Sequence, residues 1–114
     1  MEKRRRDLSV TIYRILLYLS RMRDREAKTR RLMRIERAVG IERKELKLHL
    51  SRLVESGHVS ANMLDERGRG GHPVISYDIS ENGRTLRSDV ARWIDWGVRL
   101  GYYPEDFFYL PSDD

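Results

Sequence analysis

Arg43, Lys44, Lys47 and Ser51 recur at spacings of one, three and four residues, so a helix starting near Glu42 gathers them on one side. Leu46, Leu50 and Leu53, at i, i+4 and i+7, draw an apolar stripe down the opposite side. A helix that buries one side and offers cations and a hydroxyl on the other, directly after a glycine turn at Gly40, has what reading a DNA major groove requires. Arginine and lysine both donate to guanine O6 and N7, so half-sites containing G are expected, with Leu48 within reach of the same surface. The plainer alternative for each cation is a solvated helix face. Gly57 ends the helix.

Phosphate contacts position a protein on a duplex, whereas base contacts specify sequence. The candidates for the first task are Lys28, Arg30, Arg31 and Arg34 around the preceding helix, and Arg52 late in the reading helix. A further pair, Arg67 and Arg69, flanks Gly68, with Gly70 and Gly71 following. Glycines let such a loop approach a backbone closely while two guanidiniums point forward, and narrow minor grooves attract arginine through their enhanced negative potential. The alternative is a mobile hairpin tip carrying solubilising charge.

Catalytic chemistry finds little footing. His49, His58 and His72 fall on helix, strand and loop with no carboxylates or cysteines at metal-ligand spacing. There is no G-x-S-x-G, no P-loop and no dinucleotide fingerprint, so no enzymatic activity, cofactor or metal is expected. His72, just before Pro73, reads as a turn residue.

The run around the reading helix resembles the recognition helix of winged helix-turn-helix regulators of the MarR, ArsR and PadR groups, through Glu42, His49, Leu50, Leu53 and Gly57. The segment RGRGGHPVISYDISENGRTL is similar to their wing and the helix start that follows, with Tyr77, Ile79, Ser80, Gly83 and Leu86 at the matching places. The two motifs cover roughly the middle half of the chain. The resemblance implies a wing-tip arginine in a minor groove, matched by Arg67 and Arg69, and a helix-packing role for His49. A glutamate at the helix start departs from the usual cap, although Glu42 and Glu45 are spaced as a capping box.

The 114 residues suffice for one modest core. Charged residues make up 36% and apolar ones 39%, a very ionic surface around that core. Residues 1–56 hold 17 Lys/Arg against 8 Asp/Glu (+9), and residues 57–114 hold 6 against 10 (−4). The basic half therefore carries the reading helix, which favours a polyanionic partner, duplex DNA before others. Without cysteine, disulfides and zinc ribbons are excluded. No apolar run approaches the ~20 residues that cross a bilayer, and MEKRRRD lacks a signal-peptide core, so a cytoplasmic, nucleoid-associated protein is expected and no membrane partner. Arginine supplies 19 of 23 cations, glutamine is absent, and asparagine occurs only at Asn62 and Asn82. A thermophilic, archaeal source would give this composition, and so would a GC-rich genome or chance.

These elements predict a mainly α fold with a small β-hairpin: a winged helix-turn-helix with a long C-terminal helix. Residues 1–7 form a basic arm and 8–80 the winged domain; 81–101 is the C-terminal dimerisation helix and 102–114 an aromatic, acidic tail. Helix 1 spans 8 or 9 to 22, with Leu8, Ile12, Ile15, Leu19 and Met22 inward. Tyr13, Leu16, Leu17 and Tyr18 widen that stripe, which calls for a second contact with the C-terminal helix or another subunit. Helix 2 spans 29–39 with Thr29 as N-cap. Strands cover 58–64 and 74–79, and Ser80 caps the last helix over 81–100.

In that helix Leu86, Val90, Trp93, Gly97 and Leu100 alternate by four and three, a heptad seam expected to meet a second copy or a neighbour's helix 1. The alternative is packing on the chain's own helix 1. The tail is expected to cover a neighbouring surface or the dimer groove. The resulting expectation is a homodimeric, sequence-specific transcriptional regulator, most simply a repressor. Its rivals are an architectural chromatin protein of weak sequence preference and a winged module that docks onto proteins. An effector ligand is left open.

Overall fold

The computed structural model describes residues 7–67 and 69–113, and the side chains of Glu66, Arg67 and Arg69 lie outside what it describes. Among the described residues, four α-helices accompany one two-stranded antiparallel sheet: α1 Leu8–Arg21, α2 Leu32–Val39, α3 Arg43–Glu55, β1 Val59–Arg67, β2 Pro73–Ile79 and α4 Glu81–Arg99. The mainly helical class with a hairpin is as expected. Of the basic N-terminal arm, residues 1–6 lie outside the described residues.

α1 is the central helix. Asp7 caps it by accepting from Val10 N–H at 3.2 Å. Ile15, Leu16 and Leu19 are fully buried in the main core with Ile35, Leu46 and Leu50. Another side of α1 presents Val10 and Tyr13 to Ile94 of α4, so the widened stripe is consumed within the chain. Ile12 and Met22 are half-buried, and Leu8, expected inward, is exposed.

Helix 2 begins three residues later than expected, and Thr29 is not its N-cap. Residues Ala27–Arg30 form a 3₁₀ turn, and Arg31 is extended and bridges Ser76 of β2 before α2 starts at Leu32. Tertiary hydrogen bonds decide this. Tyr18 donates to Thr29 O at 2.6 Å, Ser76 donates to Ala27 O at 2.9 Å, and Thr29 Oγ1 donates to Glu26 O. Carbonyls that a continuous helix would need are thereby taken by side chains from α1 and β2.

Gly40 ends α2 in the left-handed region at φ 66°, and Ile41 drops into the core. α3 then buries Leu46, Leu50 and Leu53 as the spacing required. Its cap differs from a capping box in detail: Glu42 Oε1 accepts from Lys44 N–H at 3.3 Å, while Glu45 faces His49.

The hairpin is longer than expected. β1 and β2 pair from Val59↔Ile79 through Met63↔Ile75 to Arg67↔Pro73, with an irregularity between Met63 and Arg67. Val59 and Ile79 are buried at its base, and Met63 and Ile75 are exposed as the ribbon leaves the core. Its base is tied to both neighbouring helices. Ser80 donates to Gly57 O at 2.7 Å and accepts from Gly83 N–H at 3.0 Å, which caps α4. A Cβ on Gly83 would stand 2.1 Å from His58 O, so only glycine lets α4 begin against this turn.

α4 packs along α1 of its own chain through Ile94, with Val90, Ala91 and Val98 half-buried. The tail, expected on a neighbouring surface, folds back on its own chain. Tyr103 donates to Asp7 Oδ2 at 2.6 Å, Tyr13 donates to Phe108 O, and Leu110 enters the main core. Asp113 closes the tail on α1 through Arg21 at 2.8 Å. Apolar residues in a small chain are better buried at home than left for an uncertain partner.

Candidate nucleic-acid interface

The apolar stripe of α3 fixes what its other side shows. With Leu46, Leu50 and Leu53 inward, Arg43, Lys44, Lys47, Leu48, Ser51 and Arg52 are all exposed. Lys44, Lys47, Leu48 and Ser51 thus stand exposed beside Arg43, and Arg52 lies at the far edge of this face, next to a cleft lined by Leu8, Leu53 and Val90.

Arg43 is partly committed. Its Nε and Nη2 both lie 3.1 Å from Glu36 Oε1 of α2, a contact that braces the two helices. Among the described residues, Lys44, Lys47 and Arg52 have no carboxylate partner. Leu48 is half-exposed in the middle of this surface.

The proposed phosphate contacts around α2 separate into four kinds. Arg34 is exposed without a carboxylate partner among the described residues, and Arg37, one turn on and not singled out by sequence reasoning, is exposed as well. Lys28 is exposed and 3.3 Å from Glu26. Arg30 is buried and cannot touch a phosphate: Nη1 donates to Met22 O at 2.6 Å and Arg25 O at 2.9 Å, and Nη2 pairs with Asp78 at 2.8 Å. Its assignment is corrected to a structural one. The guanidinium ties the α1–α2 connection to β2, and sequence spacing has no signal for that. Arg31 is half-buried, with its Nε unpartnered among the described atoms.

Arg67 and Arg69 belong to the hairpin end, but their side chains lie outside the described residues. The backbone there is glycine-dependent, with Gly70 at φ 71° and Gly71 at φ 74°.

Two of the histidines are held by local contacts, and His72 is exposed. His49 is buried on α3 with Nε2 3.4 Å from Glu45 Oε2, and His58 Nδ1 lies 2.6 Å from Ser56 Oγ. Among the described residues no three His, Cys, Asp or Glu side chains cluster as metal ligands, and no helix is long and apolar enough to cross a membrane.

The heptad positions of α4 divide. Leu86 and Val90 are half-buried against their own chain, Trp93 and Leu100 are exposed, and Gly97 lies under the ring of Tyr103. A Cβ on Gly97 would stand 2.2 Å from that ring, so a glycine is needed here for the tail to pack on α4.

Comparison with known protein families, with curated proteins and with solved structures gives no match for this chain.

Proposed function

We propose that this chain is a winged helix-turn-helix protein that binds duplex DNA as a transcriptional regulator, with α3 as the reading helix and the β1–β2 hairpin as the wing. The observation that carries this reading is the exposed face of α3. Lys44, Lys47, Leu48, Ser51 and Arg52 lie together there, and no cation among them has a carboxylate partner within the described residues. Order along the chain supports it too: α2, the left-handed turn at Gly40, α3 and the hairpin follow in the sequence a helix-turn-helix with a wing requires.

In this reading Lys44 and Lys47 donate to base edges, Leu48 and Ser51 fill the groove beside them, and Arg43 orients α3 through Glu36. Arg34, Arg52, Lys28 and Arg31 meet phosphates, and Arg67 and Arg69 enter the adjacent minor groove. A homodimer would set two such helices about 34 Å apart on a pseudo-palindromic operator, and occupancy of a promoter would repress it.

Binding to a selected and to a random duplex over a range of salt concentrations tests the assignment. Each neutralised phosphate contributes about −0.9 to the log–log slope. A steep slope with a clear preference for the selected duplex supports regulation. The same slope without preference supports an architectural protein, and a flat, weak response removes DNA as the partner.

A further inference from the structure

α4 ends in a turn that gathers aromatic residues from the helix and from the segment after it. Gly97 O accepts from the N–H groups of both Tyr102, at 2.8 Å, and Tyr103, at 3.0 Å, so the chain folds back over the last turn of the helix. Gly101 makes that reversal at φ 84°, and Gly97, with no side chain, lets the Tyr103 ring lie close to the helix backbone. The two tyrosines thereby return beside Trp93 and Trp96. With Leu100 these four rings line a cavity of about 540 Å³, within the range of small-molecule sites.

The rings are positioned by contacts with the rest of the chain. Tyr103 donates to Asp7 Oδ2 at 2.6 Å and packs on Phe107 with ring centroids 5.1 Å apart. The Trp93 indole N–H reaches the same Tyr103 hydroxyl. Trp96, Leu100 and Tyr102 are between 62% and 82% exposed, so the cavity is open to solvent.

Three features give this cavity one electrostatic sign. Aromatic faces carry the negative side of the ring quadrupole. The cavity lies at the C-terminal end of a helix of 19 residues, where the macrodipole leaves partial negative charge. Residues 93–114 hold five Asp/Glu against the single Arg99, a net of −4. The nearby arginines of α4 are paired with carboxylates, Arg92 with Asp89 and Arg99 with Asp95, and Arg14 stacks over Phe107, outside the cavity. An anion is therefore repelled and a cation attracted. Rings and a leucine offer few hydrogen-bond acceptors, so a primary ammonium would leave N–H donors unsatisfied, whereas a quaternary nitrogen has none to satisfy.

We propose that this cavity binds an organic cation, a quaternary ammonium carrying an apolar group, with the charged head against Trp93, Trp96 and Tyr102 and the apolar body against Leu100 and the Tyr103 ring. The site is built from the end of α4 and the tail, with no residue of α3 in it, so it stands or falls separately from DNA binding.

Benzyltrimethylammonium titrated into the full-length chain without DNA tests the proposal. Tryptophan emission is the readout, since both tryptophans of the chain line the cavity. A saturable change is expected. Neopentylbenzene, which has the same shape with carbon in place of nitrogen, and phenylacetate should bind about tenfold more weakly or worse, the factor given by ~1.4 kcal/mol of cation–π attraction. Tyr102→Leu and Trp96→Leu replace exposed side chains and should each weaken binding by about fivefold, with Trp96→Phe in between. Equal affinity for the neutral isostere, an unchanged titration in Tyr102→Leu, or no saturable response would overturn the proposal. So would a response that vanishes as protein concentration rises, which would assign the rings to a second copy.

Discussion

Arg30 is buried with its guanidinium 2.8 Å from Asp78 Oδ1, and this pair joins the turn before α2 to the second strand of the hairpin. The same guanidinium fills two backbone carbonyls, so it acts as a bracket between α1, α2 and the sheet. Arg30→Met is expected to cost about 1.5–3 kcal/mol of stability, the range for losing hydrogen bonds to a charged group. Denaturant unfolding measures it. The salt dependence of DNA binding by the folded variant should match the parent, because Arg30 faces no phosphate.

Gly83 meets the carbonyl of His58 so closely that a methyl group has no room. Gly83→Ala is expected to destabilise by about 1–3 kcal/mol, as overpacking does. The strain falls where Ser80 joins α3 to α4, so hydrogen exchange should rise first at the start of α4 and at the base of the hairpin. Exchange rising only in the tail would show that this junction is not the fixed point inferred for it.

Asp113 accepts from Arg21 and, less strongly, from the Leu110 N–H, and these hold its carboxyl below the ordinary value of 3.8. A lowered value means the folded chain favours the ionised form. The contribution is therefore complete above the ordinary value and is lost as pH falls through the lower folded one. Thermal melts from about pH 5 to about pH 2 should show the parent losing stability relative to Asp113→Asn. Equal slopes for the two proteins would show that the tail is held by Leu110 and the aromatic contacts alone.

On α3, Lys47→Ala is expected to change preference at one base position by about 1–3 kcal/mol, as for loss of a good base contact. Arg67→Ala with Arg69→Ala should weaken binding to all sequences and reduce the salt slope. Unchanged affinity in both variants would favour a protein-docking module.

Periodicity made α1, α3 and α4 legible, because each has a buried stripe that repeats with the helical turn. The exposed face of α3 was legible for the same reason: Leu46, Leu50 and Leu53 fix which side remains. The start of α2 was not, since Tyr18 and Ser76 capture carbonyls from distant elements and leave no local pattern. Arg30 was misassigned because a buried and an exposed arginine look alike in a charge run. The tail was misplaced for a related reason. Five aromatics announce burial but not against what, and only the fold brings Tyr103 to Asp7 and Leu110 to the core.

The most direct test of the account is amide hydrogen exchange across the whole chain with and without a bound duplex, at low salt. The account predicts new protection along residues 43–52 and around the hairpin end at 67–72, with α4 and the tail unchanged at constant protein concentration. Protection confined to α4 and the tail, or none anywhere despite saturating duplex, would contradict it.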